Sequence, residues 1–267
     1  MKLFFCVFIC AAGLLSFPTY LHADSDILID TNDDEIVSIM GFGDSISYGL
    51  GDDTPVGAFV ESVSLNNGTR GYLARIRDLG GLSTLNAAVP GEFLSISGIS
   101  RLPNAVANSN ADIVIFMEGA NDSSIQLFST AYGHVVQRAI NVIRALGRIP
   151  VVMSNPIPCC NRADHAPFVI AYNSHIHDLA HVNSIHEVNL EHMWQTTCSS
   201  IASCQLYNKP DGLHPNTSGY DAIGQTVLAT LFGIDIFAES GPQDLESALL
   251  LPEGSVIVQP DVMTPVE

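Results

Sequence analysis

The sequence predicts a three-layer α/β domain built on a parallel sheet, on three observations. Apolar runs of strand length recur five times, at 36–42, 82–89, 111–117, 149–153 and 185–190. Stretches with apolar residues at helical spacing separate them, and that alternation builds a parallel sheet with helices on both faces. The candidate chemical groups Ser45, Gly91, Asn121, Asp211 and His214 all fall at or beyond strand ends, where sheets of this type form their sites.

The first run, Ile36 to Phe42, reads as a buried strand that stops at Gly43. Ser45 follows Asp44 where the backbone turns, so it stands clear of the sheet at the start of a helical turn. Helix N-termini favour developing negative charge. Residues 46–68 are rich in Gly, Asp, Ser and Asn and lack periodicity. A loop that long inside a compact domain is usually functional, which places it at the border of the site. Apolar spacing predicts a helix over 71–79, ended by Gly80-Gly81. The second strand, Leu82 to Val89, is closed by Pro90-Gly91, and a less regular helical region interrupted by Pro103 follows. Ala111 to Met117 is the clearest buried strand and runs into Glu118-Gly119-Ala120-Asn121-Asp122. Residues 123–147 contain a long amphipathic helix with Val135, Val136, Ile140, Ile143 and Leu146 inward. Ile149 to Met153 is the fourth strand. After it come a Pro/Cys loop, a helix over 166–182 and a weaker fifth strand, 185–190. A cysteine-bearing loop leads to Asp211-Gly212-Leu213-His214-Pro215, and the last helix runs from Asn216 or Thr217 to Leu231.

With 267 residues, 47% hydrophobic and 14% charged, the chain is a well-packed globular protein. Its 28 acids against 10 bases give a formal net charge of -18, which argues against nucleic acid or an anionic membrane as partner. Residues 1–23 have the layout of a secretory signal peptide, with Lys2, an apolar run from Leu3 to Phe17 and a cleavage point after Ala23. That run is shorter than the roughly 20 residues of a membrane-spanning helix. The expected organisation is a signal peptide (1–23), an acidic leader (24–35), one domain (36–233), and an acidic, proline-containing tail (234–267) that is partly packed and partly disordered.

Export leaves Cys159, Cys160, Cys198 and Cys204, an even number in an oxidising compartment. Two disulfides are expected, with three possible connectivities. Pairing the adjacent Cys159 and Cys160 makes a strained ring, so cross-pairing with Cys198 and Cys204 is the favoured arrangement. Zinc is the competing reading, but a second pair of C-x-x-C type is missing.

A serine hydroxyl needs a base to take its proton and an orienting group to hold that base. His214 is the candidate base, with Asp211 three residues earlier on the same turn. That spacing lets the carboxylate reach one ring nitrogen while the other faces Ser45. The Ser45 and Gly91 amides and the Asn121 side chain are the candidate oxyanion donors. These blocks, Phe-Gly-Asp-Ser ending at Ser45, Asn86-Ala-Ala-Val-Pro-Gly91, Gly-Ala-Asn121-Asp and Asp211-Gly-Leu-His214-Pro-Asn, occur in the order found in the GDSL/SGNH hydrolase family. The chain resembles that family over 36–232. Ile46 replaces the leucine of the motif, and Val89-Pro90 before Gly91 is a second departure. The resemblance implies a flavodoxin-like five-stranded sheet, a Ser45-His214-Asp211 triad, an oxyanion hole of Ser45, Gly91 and Asn121, and metal-free, cofactor-free hydrolysis through an acyl-enzyme.

Blander readings stand beside these. Asp44 reads as a structural residue that bonds neighbouring backbone. His177 and His181 are four apart on a helix, a possible ligand pair, but lack an accompanying carboxylate pattern. Asp30 to Asp34 resembles the start of a calcium loop but lacks the glycine and glutamate it requires. The expectation is an exported serine ester hydrolase of the carboxylesterase, acetylesterase or lipase kind. It acts on a small-molecule, glycan or lipid ester, with no nucleic-acid partner and no stable membrane insertion. Lysophospholipase, thioesterase or polysaccharide deacetylase activity on the same triad is the alternative, with a non-catalytic glycan- or lipid-binding module behind it.

Overall fold

The computed structural model describes residues 27–52 and 70–234. The expected signal peptide, residues 53–68 of the candidate border loop and the tail from 235 lie outside the described residues.

Five parallel strands form one sheet in the order β2-β1-β3-β4-β5, where β1 is Ser38–Gly43, β2 Ser83–Asn86, β3 Ile113–Met117, β4 Ile149–Met153 and β5 His186–Val188. Successive side chains alternate between faces, and the strands are apolar on both. Ile39, Ile113, Ile115, Met117, Val151 and Met153 face one layer; Met40, Phe42, Val114, Phe116 and Val152 face the other. The first layer contains α2 (Gly71–Gly80) and α8 (Thr217–Leu231), which pack on each other. The second contains α3 (Ile99–Ala107), α5 (Ser129–Ala145) and α6 (Ala166–Asn183). Short helices α1 (Ser45–Tyr48) and α4 (Ala120–Ser124) follow β1 and β3, and α7 (Leu190–Thr197) follows β5. This is the expected three-layer α/β/α architecture. Because β2 and β3 flank β1 on opposite sides, the chain direction switches at β1, which opens a crevice at its carboxyl end.

Several boundaries differ from the sequence reading for local reasons. The first strand begins at Ser38, because Ile36 is 52% exposed and its amide bonds to the Asp34 carboxylate. The second is assigned only to Asn86, although the Ala87 and Val89 amides still bond to the Gly41 and Gly43 carbonyls. Pro103 does not interrupt α3 but lies within it, directly after a π-helical turn at Leu94–Gly98. Leu146 caps the end of α5 and is exposed rather than inward. The loop after β5 contains α7, which carries the buried Met193 and Trp194. Among the described residues, no helix is long and apolar enough to cross a membrane.

Two side-chain readings also change. Cys198 pairs with Cys204, and Cys159 and Cys160 are free thiols, in place of the cross-pairing expected. Cys160 is exposed; the Cys159 thiol is buried, and burial pushes it up to about 12. His177 does have carboxylate partners, supplied by β5 and α7 rather than by its own helix. Its Nδ1 lies 2.5 Å from Glu187 Oε1 and its Nε2 3.6 Å from Glu191 Oε2. The hydrogen bonds to Glu187 and Glu191 raise the ring from 6.5 to about 10. A group raised in the folded state contributes stability in full below its unfolded pKa and loses it as pH rises through the folded value. The wild type should therefore lose more Tm between pH 6.5 and pH 10 than His177→Gln does, as read by thermal melts. Equal losses would show that this pair contributes nothing.

Candidate active site

The loops at the carboxyl ends of β1, β2 and β3, joined by the segment before α8, build one site. At the end of β1 the chain turns so tightly that a Cβ on Gly43 would lie 2.2 Å from both the Met117 carbonyl and the Ser47 hydroxyl. Asp44 then caps α1, its Oδ1 accepting the Ile46 amide at 2.9 Å. That is the structural role read for it. Ser45 is thereby the first residue of a turn with its side chain facing the crevice. α8 secures the turn from behind, because the Tyr220 hydroxyl donates to the Ile46 carbonyl at 3.1 Å and the Leu50 carbonyl at 2.9 Å.

Ser45 and His214 are 169 residues apart, yet Ser45 Oγ lies 2.8 Å from His214 Nε2. On the other side of the ring, Nδ1 lies 2.9 Å from Asp211 Oδ2. An ionised carboxylate only accepts, so the ring proton sits on Nδ1 and leaves the Nε2 lone pair for the serine hydroxyl. The same Asp211 Oδ2 accepts the His214 amide at 2.8 Å and the Leu213 amide at 3.0 Å. Burial pushes this carboxyl up, but the bonds from the His214 ring and from the two amides outweigh it and hold the pKa at about 2. Both Ser45 and His214 are buried. Asn208 was not visible as a site residue in the sequence. It fastens the histidine segment to the serine segment by donating to the Gly51 carbonyl at 3.0 Å and the Pro215 carbonyl at 2.8 Å.

The candidate oxyanion groups come from two further loops. Val89-Pro90-Gly91-Glu92 forms a turn closed by a 3.0 Å bond from the Glu92 amide to the Val89 carbonyl. Proline fixes the first corner, and Gly91 at φ 79° supplies the left-handed second corner of a type II turn. The space that a Gly91 side chain would fill is empty. Asn121, at the start of α4, donates one amide hydrogen to the Glu92 carbonyl at 2.8 Å. Its other contact, to Asp44 Oδ2, is long at 3.4 Å, so that hydrogen is available to an incoming anion. Asp44 itself is buried; burial raises it to about 6 against the lowering effect of the Ile46 amide. Removal of the donor in Asn121→Ala should lower kcat on the order of 100-fold with little change in KM. Unchanged kcat would remove Asn121 from the candidate oxyanion donors.

Among the described residues no group of three or more His, Cys, Asp or Glu side chains is arranged to hold a metal ion. The sequence-predicted residues Ser45, His214 and Asp211 thus converge in one hydrogen-bonded relay, and Asn121 joins the Gly91-Glu92 turn beside Asp44.

The family of GDSL-like lipases and acylhydrolases matches residues 42–222. No curated protein matches the chain at a significant level. Among solved structures, a lipase/acylhydrolase from Enterococcus faecalis aligns at 19% identity over 74% of this chain and 96% of its own, with a TM-score of 0.59. An acetylxylan esterase, Axe2 from Geobacillus stearothermophilus, aligns at 14% identity over 78% of this chain and 98% of its own, with a TM-score of 0.60. TesA aligns at 20% identity over 73% and 97%, with a TM-score of 0.55. These likenesses show a shared fold along nearly the whole length of each neighbour. With the family match running from the end of β1 into α8, the chain belongs to the GDSL-like lipase/acylhydrolase family, whose members are ester-bond hydrolases.

Proposed function

We propose that the protein is an exported serine ester hydrolase in which Ser45 is the nucleophile, His214 the general base and acid, and Asp211 the group that orients and stabilises the imidazolium. The observation that carries this reading is the unbroken relay from Ser45 Oγ to His214 Nε2 (2.8 Å) and from His214 Nδ1 to Asp211 Oδ2 (2.9 Å). In the reaction, Ser45 Oγ attacks the ester carbonyl carbon and its proton passes to Nε2. The Ser45 and Gly91 amides and the Asn121 side chain stabilise the oxyanion. As the tetrahedral adduct collapses, the alcohol leaves with the proton from His214. Water then attacks the acyl-enzyme, His214 taking its proton, and the acid departs as Ser45 Oγ regains a hydrogen. Export rests on the layout of residues 1–23.

The test is hydrolysis of p-nitrophenyl esters from acetate to palmitate by wild type and Ser45→Ala side by side. Serine-dependent activity on short acyl groups supports a carboxyl- or acetylesterase. A preference for long chains supports a lipase or lysophospholipase. Equal turnover by wild type and Ser45→Ala would refute the nucleophile assignment. Secretion of a full-length fusion, with N-terminal sequencing of the mature form, tests cleavage after Ala23.

A further inference from the structure

We propose that Arg101 and Glu92 act as positioning residues for the oxyanion hole: the ion pair between the half-buried Arg101 and the buried Glu92 clamps the Gly91 turn and, through the Glu92 carbonyl, aims the Asn121 amide. The proposal rests on the serine-hydrolase reading above.

Glu92 directly follows Gly91, and its side chain is 3% exposed. A carboxylate so buried is costly unless paired and hydrogen-bonded. Arg101, one turn into α3, reaches it through two guanidinium nitrogens: Nε at 3.1 Å from both carboxylate oxygens and Nη2 at 2.5 Å from Oε2. The third nitrogen, Nη1, donates to the Ala87 carbonyl at 2.8 Å, just past the end of β2. The guanidinium also lies 4.2 Å above the Phe42 ring, one residue before the glycine that precedes Asp44. One side chain therefore ties the strand that leads into the turn, the residue that leaves it, and the strand that carries the nucleophile.

The backbone of Glu92 does the rest. Its amide closes the Val89–Glu92 turn that sets the direction of the Gly91 amide, and its carbonyl holds one Asn121 hydrogen at 2.8 Å. A displacement of Glu92 would therefore disturb both candidate donors, loosening the turn at its amide and moving the acceptor of Asn121 at its carbonyl. Among the described residues the Glu92 carboxylate is held by Arg101, while the backbone on either side is fixed by the Val89 amide on the Gly43 carbonyl and by the Leu94 and Ser95 amides on the Asp122 carboxylate, so the ion pair sets the position of Glu92 between two fixed points. An apolar pair of similar volume often stabilises a fold as well as a buried ion pair does. A fixed, planar, forked contact supplies direction, which an apolar pair does not. Directed donors are what an oxyanion needs, since they gain from being aligned before charge develops.

Two near-isosteric variants test this. Glu92→Gln keeps the shape and loses the charge; Arg101→Lys keeps the charge and loses the fork. With p-nitrophenyl acetate as substrate, both should lower kcat by roughly 10- to 100-fold with KM changed little, because geometry and not ground-state binding is lost. Affinity for a trifluoromethyl ketone, which forms a tetrahedral adduct with the serine, should fall by the same factor. The shape of the pH–rate profile should stay that of wild type, because the relay from Ser45 to Asp211 is untouched. The proposal is overturned if folded variants keep wild-type kcat and ketone affinity, or if the loss is confined to KM. It is equally overturned if both variants lose their native circular dichroism, which would make the pair a determinant of the fold. Ser45→Ala runs in parallel and separates the two levels. An inactive Ser45→Ala beside fully active clamp variants sinks the clamp alone, whereas an active Ser45→Ala sinks the serine reading and the clamp with it.

Discussion

Ser45→Ala is expected to lower kcat by about a million-fold while the protein stays folded. Among the described residues the hydroxyl bonds only to His214 Nε2, and alanine keeps the Cβ that packs in the buried turn. The stability lost should therefore be about 1 kcal/mol, the net contribution of one such bond. The activity lost is far larger, because in the proposed reaction the new bond forms to Oγ itself, and the candidate oxyanion donors alone do not supply a nucleophile. Stopped-time assays on p-nitrophenyl esters, together with circular dichroism and thermal melts, separate the two quantities. Residual turnover near wild type would mean that another group attacks the ester.

Asp211→Ala should lower kcat by about 10⁴-fold, the second-largest effect. The geometry adds a finer expectation for Asp211→Asn. In many relays an amide in place of the carboxylate presents an N–H to the ring and fixes the wrong tautomer. Here one oxygen, Oδ2, accepts the ring Nδ1 and the Leu213 and His214 amides, while Oδ1 lies 3.9 Å from the Arg162 guanidinium. The three donors compel an asparagine to turn its carbonyl oxygen toward them and its NH₂ toward Arg162. The tautomer then survives and only the negative charge is lost. Asp211→Asn should accordingly retain more activity than Asp211→Ala; equal losses would show that charge, not orientation, is the whole contribution. Wild type should also carry a pH-dependent stability that both variants lack. A carboxyl lowered to about 2 from 3.8 contributes in full above pH 3.8, and that contribution is lost as pH falls through 2. Acid unfolding followed by circular dichroism measures it.

How much of this was legible in the sequence varies with the physical kind of signal. Strands β1, β3 and β4 are buried on both faces, so they read as unbroken apolar runs whatever surrounds them. The end of α2 was written locally, since Gly81 takes the left-handed conformation that stops it. The cap by Asp44 was local too. α7 was hidden because its eight residues lead into a cysteine-bearing segment and were read with it as loop, and burial of Trp194 against Tyr207 is what completes it. The carboxylate partners of His177 escaped notice because they lie on β5 and α7, ten and fourteen residues on, at no helical spacing. The Arg101–Glu92 pair was invisible for the same reason: nothing periodic links a turn residue to a helix residue nine positions away.

The sequence by itself determined the fold class and named the candidate site residues. Both rest on patterns within a few residues: strand-length apolar runs, and short blocks of Gly, Asp, Ser, Asn and His at turns. Only the tertiary structure decided which ring nitrogen faces Ser45, which Asp211 oxygen holds the ring, how the cysteines pair, and which carbonyl holds Asn121. Those depend on side chains brought together across as many as 169 residues, where the geometry of a hydrogen bond is fixed by the packing of whole elements and not by the order of residues along the chain.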